Sequence, residues 1–296
     1  MKKINYKYII KKNIKNIFYE IVIFFLKYKF FKLFSHLFVN AYFMNRGYSF
    51  DYNFMMGKSS NQLFRGENIF IKKFDNLGLK NCIDVGCNRG DFSKEILKNK
   101  NTNVISFEPL PFYNKYLKEI NRLYGNRFIH FEYALSNKDS FDFIYHGSEE
   151  NSTMASLEKE INNIDYVGRI NNTTLKVELK RLDSFIENKN FDKVDFIKID
   201  TEGHEYKVLE GSLNFIKKNK IKIIQFEFNW HHLFTNYSIF QFSKILDNYT
   251  IMQLNLINGK LMEIDVNHFF SNIFQTSIFL LIEKEFFLEK KNILIN

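Results

Sequence analysis

The feature that most constrains the fold is a repeated alternation, across residues 81–228, between short apolar runs and longer amphipathic segments. Each apolar run has the length of a buried strand, and the segments between runs place apolar residues three and four positions apart, as helices do. Predicted strands are residues 81–86, 103–108, 127–132, 194–199 and 221–228, with later ones at 250–256 and 274–282. Predicted helices are residues 91–100, 111–123 and 203–218. This order predicts a doubly wound, mostly parallel α/β sheet of seven strands.

The rest of the chain divides into a body and an N-terminal arm. The best boundary lies between Gly57 and Gly66, so that residues 1–60 form the arm and residues 61–296 the body. Within the body, residues 136–190 are polar, and we expect little regular structure there. The chain has two cysteines, which excludes a disulfide scaffold, indicates a cytoplasmic location and gives no Cys–His cluster for structural zinc.

The basic residues are concentrated in the arm. It contains eleven of the 42 Lys and Arg residues but two of the 33 acidic residues. The arm therefore carries the whole formal excess of +9, and the body is formally neutral. This separation of charge indicates that the arm and the body have different roles.

The arm is predicted to be helical and not to span a membrane. Its apolar run at residues 21–26 is followed by three lysines, so it is shorter than the roughly 20 apolar residues of a spanning helix. Glu20 precedes the run and no small-residue cleavage site follows, which argues against a secretory signal. Lys29, Lys32 and His36 fall on one helix face, which suits contact with an anionic membrane surface or a partner protein. An ordinary surface-packed helix remains the alternative.

The turn after the first predicted strand indicates a bound cofactor. Residues 84–90 read Asp-Val-Gly-Cys-Asn-Arg-Gly. Gly86 permits a sharp turn and a close approach of a ligand to the backbone, and Gly90 lets the next helix start against the sheet. The second predicted strand ends in Glu108, and an acid at that place in doubly wound folds accepts hydrogen bonds from ribose hydroxyls. Together these residues predict a cofactor that contains a nucleoside.

The spacing of the two glycines narrows the choice of cofactor. It is G-x-x-x-G rather than the G-x-G-x-x-G of dinucleotide sites, and Asp84 stands in a turn where a pyrophosphate would need bare amides. An acid there suits a cationic cofactor with an amino-acid tail, whose ammonium group needs an acceptor. We therefore expect S-adenosylmethionine. The alternative is an ordinary strand–turn–helix in which Asp84 only caps the turn.

Several further motifs, taken in order, resemble those of the FkbM-like family of S-adenosylmethionine-dependent methyltransferases, whose fold is the Rossmann-like fold of class I. The most specific is Phe-Ile-Lys-Ile-Asp-Thr-Glu-Gly-His-Glu at 196–205. The others are Phe-Glu-Pro-Leu-Pro at 107–111, Ala-Leu-Ser at 134–136, Ser-Thr-Met-Ala-Ser-Leu at 152–157, Leu-Asp-Ser-Phe at 182–185 and Val-Leu-Glu-Gly at 208–211. The resemblance covers most of residues 82–230 but neither the arm nor the tail beyond about 250.

The resemblance implies where the cofactor binds. Asp84, Gly86, Asn88 and Gly90 are expected around the methionine moiety, and Glu108 at the ribose. Four further residues in or beside these motifs are also expected at the cofactor, the last two near the adenine: Cys87, Pro109, Tyr133 and Ala134.

Catalysis requires a group that aligns the acceptor with the methyl group and removes a proton from it. Asp200, Glu202 and His204 follow the fourth predicted strand and His231 follows the fifth, at the sheet edge where ligands bind. His231 is the preferred base because imidazole titrates near neutral pH, and Glu202 is the second choice. His204 and His231 also suit plain structural roles. Further candidates at this edge are Glu227 and His232.

The nature of the acceptor rests on the resemblance. FkbM-like enzymes are similar in methylating hydroxyl groups of sugars and of polyketide-type products. Residues 200–203 read Asp-Thr-Glu-Gly, unlike the Asn/Asp-Pro-Pro-aromatic run of amino-methylating enzymes. The motif favours oxygen as the acceptor atom. The resemblance implies that the acceptor is a sugar, in a surface polysaccharide or glycoconjugate. Asp200 and Glu202 could share a divalent ion with the acceptor, but two carboxylates are weak evidence, so no metal is predicted.

Two other classes of function stay open. A pI near 9.2 suggests a nucleic-acid methyltransferase or binder. The body is formally neutral, however, whereas phosphate contacts should line the active-site face, so no nucleic-acid partner is expected. The second alternative is a catalytically silent, membrane-associated scaffold that keeps the same fold.

Overall fold

The computed structural model describes residues 65–149, 152–187, 193–256, 258–267 and 277–295. The arm, residues 1–60, lies outside the described residues, and so do its predicted helix and its boundary with the body. Within the described part of the chain, no helix combines the length and apolar character that crossing a bilayer requires.

The described residues contain eleven strands in two sheets. In chain order these are β1 (Asn81–Val85), β2 (Asn103–Phe107), β3 (Phe128–Phe131), β4 (Ala134–Leu135), β5 (Ser140–His146), β6 (Thr173–Lys180), β7 (Phe196–Ile199), β8 (Ile223–Phe228), β9 (Tyr249–Leu254), β10 (Leu261–Glu263) and β11 (Ser277–Glu283). The larger sheet has the order β10-β9-β11-β8-β7-β1-β2-β3. Strands β1, β2, β3, β7 and β8 pair in parallel, and β9, β10 and β11 pair antiparallel.

Helices follow the parallel strands. The described helices are α1 (Arg65–Ile71), α2 (Phe74–Leu77), α3 (Asp91–Leu97), α4 (Asn114–Tyr124), α5 (Lys159–Asn162), α6 (Asp165–Ile170), α7 (Leu182–Glu187), α8 (Glu205–Glu210), α9 (Leu213–Asn219), α10 (His231–Thr235), α11 (Ile239–Lys244) and α12 (Lys284–Ile295). Alternate side chains of the sheet enter two apolar clusters, with Cys82 and Phe196 in one and Ile83 and Ile197 in the other. A sheet buried on both faces gives this alternation.

The doubly wound, mostly parallel α/β fold is confirmed, with two differences in detail. The sheet has eight strands instead of seven, because the short strand β10 adds to its edge beside β9. The single helix predicted over residues 203–218 is two helices, α8 and α9, separated at Gly211. At Gly211 the chain passes so close to the backbone oxygen of Ser136 that a Cβ atom would overlap it.

The expectation of little regular structure over residues 136–190 is wrong. Strands β4, β6 and β5 form a second sheet in that order, with β5 and β6 antiparallel. Phe141 and Phe143 of β5 are exposed, whereas Asp142 between them is partly buried. The alternation of apolar and polar residues in Ser140–His146 is itself a strand pattern, although its apolar side is the more exposed one.

The register of the larger sheet brings four strand ends to one edge. Val85 pairs with Phe107 on one side and with Ile199 on the other, and Ile199 pairs with Phe226. The residues that come directly after these positions are Gly86, Glu108, Asp200 and Glu227. The sheet therefore assembles at one edge the segments in which the sequence predicts the cofactor and the catalytic groups.

Candidate active site

The turn between β1 and α3 depends on its two glycines. Gly86 and Gly90 have positive φ angles of 73° and 75°. A Cβ atom at Gly86 would overlap the backbone oxygen of Asp200, and one at Gly90 would overlap the side chain of Ile120. The absence of side chains thus lets this turn lie against the β7 end and against α4.

Glu108 lies at the end of β2 and shapes the same turn. It is 5% exposed, and its two carboxylate oxygens accept hydrogen bonds of 2.9 Å from the backbone amides of Asn88 and Leu110. Burial raises the pKa of Glu108 to about 7, although the hydrogen bonds from Leu110 and Asn88 oppose that rise. The carboxylate is therefore fixed in place by the backbone, and each oxygen keeps a lone pair for a further donor.

A pocket with an empty volume of about 670 Å³, including its open mouth, lies at this edge. Six of the residues expected at the cofactor line it: Gly86, Asn88, Glu108, Pro109, Tyr133 and Ala134. Apolar side chains also line it, namely Phe107, Leu135, Ile144, Ala155 and Leu157. Two of the expected catalytic residues, Asp200 and Glu202, complete the lining. The pocket thus joins the predicted cofactor residues to the predicted acceptor side.

Three residues expected at the cofactor do not reach the lining of this pocket: Asp84, Cys87 and Gly90. Asp84 is fully buried, and its Oδ2 accepts a 2.6 Å hydrogen bond from Ser93 Oγ. Its Oδ1 lies 3.7 Å from Nζ of Lys198. Burial raises the pKa of Asp84, whereas the charge of Lys198 lowers it. In this structure Asp84 therefore faces protein partners behind the turn.

Lys198 is a site residue that the sequence reasoning did not select. It lies in β7, is 8% exposed, and its Nζ lies 3.0 Å from Oδ2 of Asp200 and 3.7 Å from Oδ1 of Asp84. Burial lowers the pKa of Lys198, but Asp200, Asp84 and Glu67 raise it by more, so the amine stays charged. The signal was available, because a lysine in the middle of a buried apolar strand needs buried acids as partners.

Glu205 organises the loop that presents Asp200 and Glu202. Its carboxylate accepts hydrogen bonds from the amides of Thr201 and Gly203, and its Oε2 lies 3.0 Å from Nε2 of His232. Burial alone raises the pKa of Glu205, but His232 and the amides outweigh burial and lower it to about 2. Glu205, the first residue of α8, is thus a buried residue that orders the loop before the helix.

Three carboxylates converge at the acceptor side of the pocket. One oxygen from each of Asp200, Glu202 and Glu227 lies within 4.8 Å of the others. Burial is the main cause that raises the pKa of both Glu202 and Glu227. His231 opposes the rise at Glu202, whereas the neighbouring acids add to it at Glu227. The cluster therefore places three interacting carboxyl groups at this side of the pocket, two of them, Asp200 and Glu202, in its lining.

The histidines lie behind this cluster. His231 is 1% exposed, and its Nδ1 lies 3.0 Å from Oε2 of Glu202. His204 is also buried, with Nδ1 2.5 Å from Oε1 of Glu158 and Nε2 2.9 Å from Oγ of Ser136. Neither histidine lines the pocket. Of the four expected catalytic residues, the structure brings Asp200 and Glu202 to the pocket and leaves the two histidines outside its lining.

A glycine turn after β1, a buried acid at the end of β2 and a pocket between them define a class I S-adenosylmethionine-dependent methyltransferase. Residues 84–252, more than half of the chain, match the family model of the methyltransferase FkbM domain. The chain belongs to this family, and its cofactor is S-adenosylmethionine. The site fits this cofactor, because the Glu108 carboxylate lies in the lining and Gly86 keeps the backbone bare beside it.

Solved structures similar to the chain are also methyltransferases. One is an O-methyltransferase from Bacillus cereus in complex with SAH, with 10% identity, a TM-score of 0.41, and coverage of 83% of this chain and 97% of that chain. Another is precorrin-6y C5,15-methyltransferase from Geobacter metallireducens, with 9% identity, a TM-score of 0.37, and coverage of 76% and 93%. Nothing among the curated proteins matches the chain in sequence.

Proposed function

We propose that the protein is an O-methyltransferase whose acceptor is a sugar hydroxyl, in a surface polysaccharide or glycoconjugate. The observation that carries the proposal is the continuous pocket lined by Glu108 at one side and by Asp200 and Glu202 at the other. A methyl donor whose ribose binds at Glu108 and an acceptor bound at the carboxylates would meet in one pocket. Carboxylates accept hydrogen bonds from hydroxyl groups, which supports oxygen as the nucleophile.

Aromatic side chains beside the carboxylates support a sugar. Tyr166, Trp230 and Phe234 form a row, with ring centres 5.8 Å and 5.9 Å apart, and Tyr166 and Phe234 are exposed. Burial and then the charge of Glu202 raise the pKa of Tyr166, so the phenol is close enough to Glu202 for an electrostatic interaction. An aromatic surface next to hydrogen-bond acceptors suits the apolar face and the hydroxyl rim of a sugar ring.

The buried position of His231 moves the assignment of the base to Glu202. S-adenosylmethionine supplies a methyl group already activated as a sulfonium. The acceptor oxygen forms the C–O bond as the C–S bond breaks, and the hydroxyl proton passes to Glu202. His231 is a positioning residue, since its Nδ1 faces Oε2 of Glu202 from behind. The raised pKa of Glu202 suits this role, because it makes the carboxylate a stronger proton acceptor.

Methyl-transfer assays with sugar and RNA acceptors test this proposal against its alternatives. Release of S-adenosylhomocysteine should require a sugar acceptor, and RNA should neither support turnover nor bind in a salt-titrated assay. Turnover with RNA, or RNA binding that weakens steeply with salt, would favour a nucleic-acid enzyme. Cofactor binding without turnover on any glycan acceptor would favour the catalytically silent scaffold.

We further propose that residues 1–60 act separately from the body, as a basic arm that contacts an anionic membrane surface or a partner. The support is the charge distribution, because the arm carries the whole formal excess of +9. This would place a cytoplasmic enzyme beside the membrane at which lipid-linked or surface glycans are assembled. Attraction of this kind weakens with ionic strength.

A further inference from the structure

We infer that Asp200, Glu202 and Glu227 bind a divalent cation at the acceptor side of the pocket. Binding of the cation follows from these side chains alone, whereas its use in catalysis rests on the proposed O-methyl transfer. The three ligand oxygens lie within 4.8 Å of one another. Divalent cations hold oxygens at about 2.0–2.6 Å, so ligands on opposite sides of one ion are about 4–5 Å apart. The present separation therefore fits one shared ion.

The fold produces this cluster from two adjacent strands. Ile199 and Phe226 are paired in the sheet, so Asp200, just after β7, and Glu227, the next residue of β8, lie side by side. Glu202 has a positive φ of 54°, which an L residue adopts at a cost, and the following Gly203 has a φ of 103°. This turn returns the Glu202 carboxylate toward the other two, and Glu205 keeps the loop in that shape.

Among the described residues, Lys198 and His231 are the basic side chains within ion-pair distance of the cluster. Lys198 is shared between Asp200, at 3.0 Å, and the buried Asp84, at 3.7 Å. One shared lysine cannot neutralise all three carboxylates when they are ionised. Buried like charges at such distances repel one another, and a divalent cation removes that repulsion.

A second observation, on the buried side chain behind Glu202, points to the same site. His231 is 1% exposed, and within the described residues neither of its ring nitrogens makes a hydrogen bond. Its Nδ1 is directed at the cluster, 3.0 Å from Oε2 of Glu202 but outside hydrogen-bond geometry. A buried imidazole without a partner is unfavourable. Side chains that orient metal-binding carboxylates occupy this kind of position, and Nδ1 of His231 lies where it would hold the Glu202 carboxylate from behind.

The donor set defines the class of ion. Carboxylate oxygens select hard cations such as Mg²⁺, Mn²⁺ or Ca²⁺. Asp200 and Glu202 line the pocket, so the open side of the ion would face the acceptor, and a pair of sugar hydroxyls could complete its coordination. A hydroxyl bound to a cation loses its proton more easily. The hydroxyl proton would pass to the Glu202 carboxylate, as in the proposed methyl transfer.

A titration with Mn²⁺ tests the site directly. The full-length protein is first treated with chelator, and binding is followed by electron paramagnetic resonance without cofactor or acceptor. We expect one Mn²⁺ per chain, competition by Mg²⁺ or Ca²⁺, and binding weakened at least about tenfold in Glu227→Gln. Asp200→Asn is the second variant, and Glu263→Gln, an exposed acid on β10, is the matched control. Circular dichroism checks that each variant folds.

The outcomes separate this inference from the proposed function. Absence of stoichiometric Mn²⁺ binding to the unmodified protein overturns the cation site, and so does equal binding by the folded variants and the control. Full methyl transfer to a sugar in excess chelator, together with no Mn²⁺ binding, would overturn the site while leaving the proposed function intact. Mn²⁺ binding that is lost in Glu227→Gln would support the site even if no sugar is methylated.

Discussion

Replacing Glu108 by Gln changes one oxygen of the carboxylate into an amino group at nearly constant volume. In the structure both oxygens accept backbone hydrogen bonds of 2.9 Å, from Asn88 and Leu110. Glutamine has one acceptor oxygen, so its amino group must face one of these two amides. A buried N–H then loses its acceptor, and the position that should receive a ribose hydroxyl loses its charge.

The expected magnitude follows from those contacts. A buried donor left without a partner costs about 1–3 kcal/mol, and this is the most by which the free energy of unfolding should fall, because the substitution also removes a buried charge. A hydrogen bond to a charged acceptor contributes about 1.5–3 kcal/mol, so losing one from the ribose should weaken S-adenosylmethionine binding roughly 10- to 150-fold. The melting temperature should fall by about 2–4 °C per kcal/mol in a domain of this size.

Calorimetric titration with S-adenosylmethionine at pH 8, paired with thermal unfolding, measures both effects. The matched control is Glu132→Gln, because Glu132 is an exposed acid just after the neighbouring strand β3. Glu132→Gln should keep the affinity and the melting temperature of the unmodified protein. Equal cofactor affinity in Glu108→Gln and Glu132→Gln would refute the placement of the ribose at Glu108.

Three further predictions concern the same site, and a fourth concerns the arm. Because burial raises the pKa of Glu108 to about 7, cofactor affinity should fall as pH decreases through 7. Calorimetry across that pH range should show no such dependence in Glu108→Gln. Gly86→Val would overlap the Asp200 backbone and force a side chain into positive φ, so thermal unfolding should show a large loss of stability and calorimetry no cofactor binding. Glu202→Gln should lower kcat roughly 10²- to 10⁴-fold with cofactor affinity kept. His231→Ala should lower kcat and shift the pH profile of kcat. If both variants keep the kcat and the pH profile of the unmodified protein, the base lies elsewhere. Neutral substitution of three arm lysines should reduce co-sedimentation with anionic vesicles at low salt, and equal sedimentation would count against the membrane role of the arm. These are Lys27, Lys29 and Lys32.

The raised pKa of Glu108 also has a consequence for stability. Its folded-state pKa of about 7 exceeds the usual value, so its stabilising contribution is fully present below the unfolded pKa. That contribution is lost as pH rises through about 7, where the buried carboxylate becomes charged. Ribose binding favours the charged form, so the bound cofactor should restore stability most strongly on the alkaline side.

Much of the site follows from the sequence because parallel strands end at one edge of a sheet. Gly86, Glu108, Asp200 and Glu202 each come just after a predicted strand, and all four line the observed pocket. Local order along the chain was enough to place them. Strand order was not needed, because every strand end in question lies at the same edge.

Other features required the three-dimensional pairing of strands. Asp84 reads as a ligand for an ammonium group, but Lys198 of the adjacent strand β7 and Ser93 of α3 already face it. His231 reads as an accessible base, but α10 buries it behind Glu202. Both differences arise from contacts between segments far apart in sequence.

The central claim is that the pocket transfers a methyl group from S-adenosylmethionine to a sugar oxygen. Incubation with cofactor carrying a deuterated methyl group, followed by mass spectrometry and NMR of the glycan, tests this most directly. The account predicts a labelled methyl ether on a sugar oxygen, formed by the unmodified protein and greatly reduced in Glu202→Gln. A labelled methyl group on nitrogen or carbon, or equal labelling by Glu202→Gln, would contradict it.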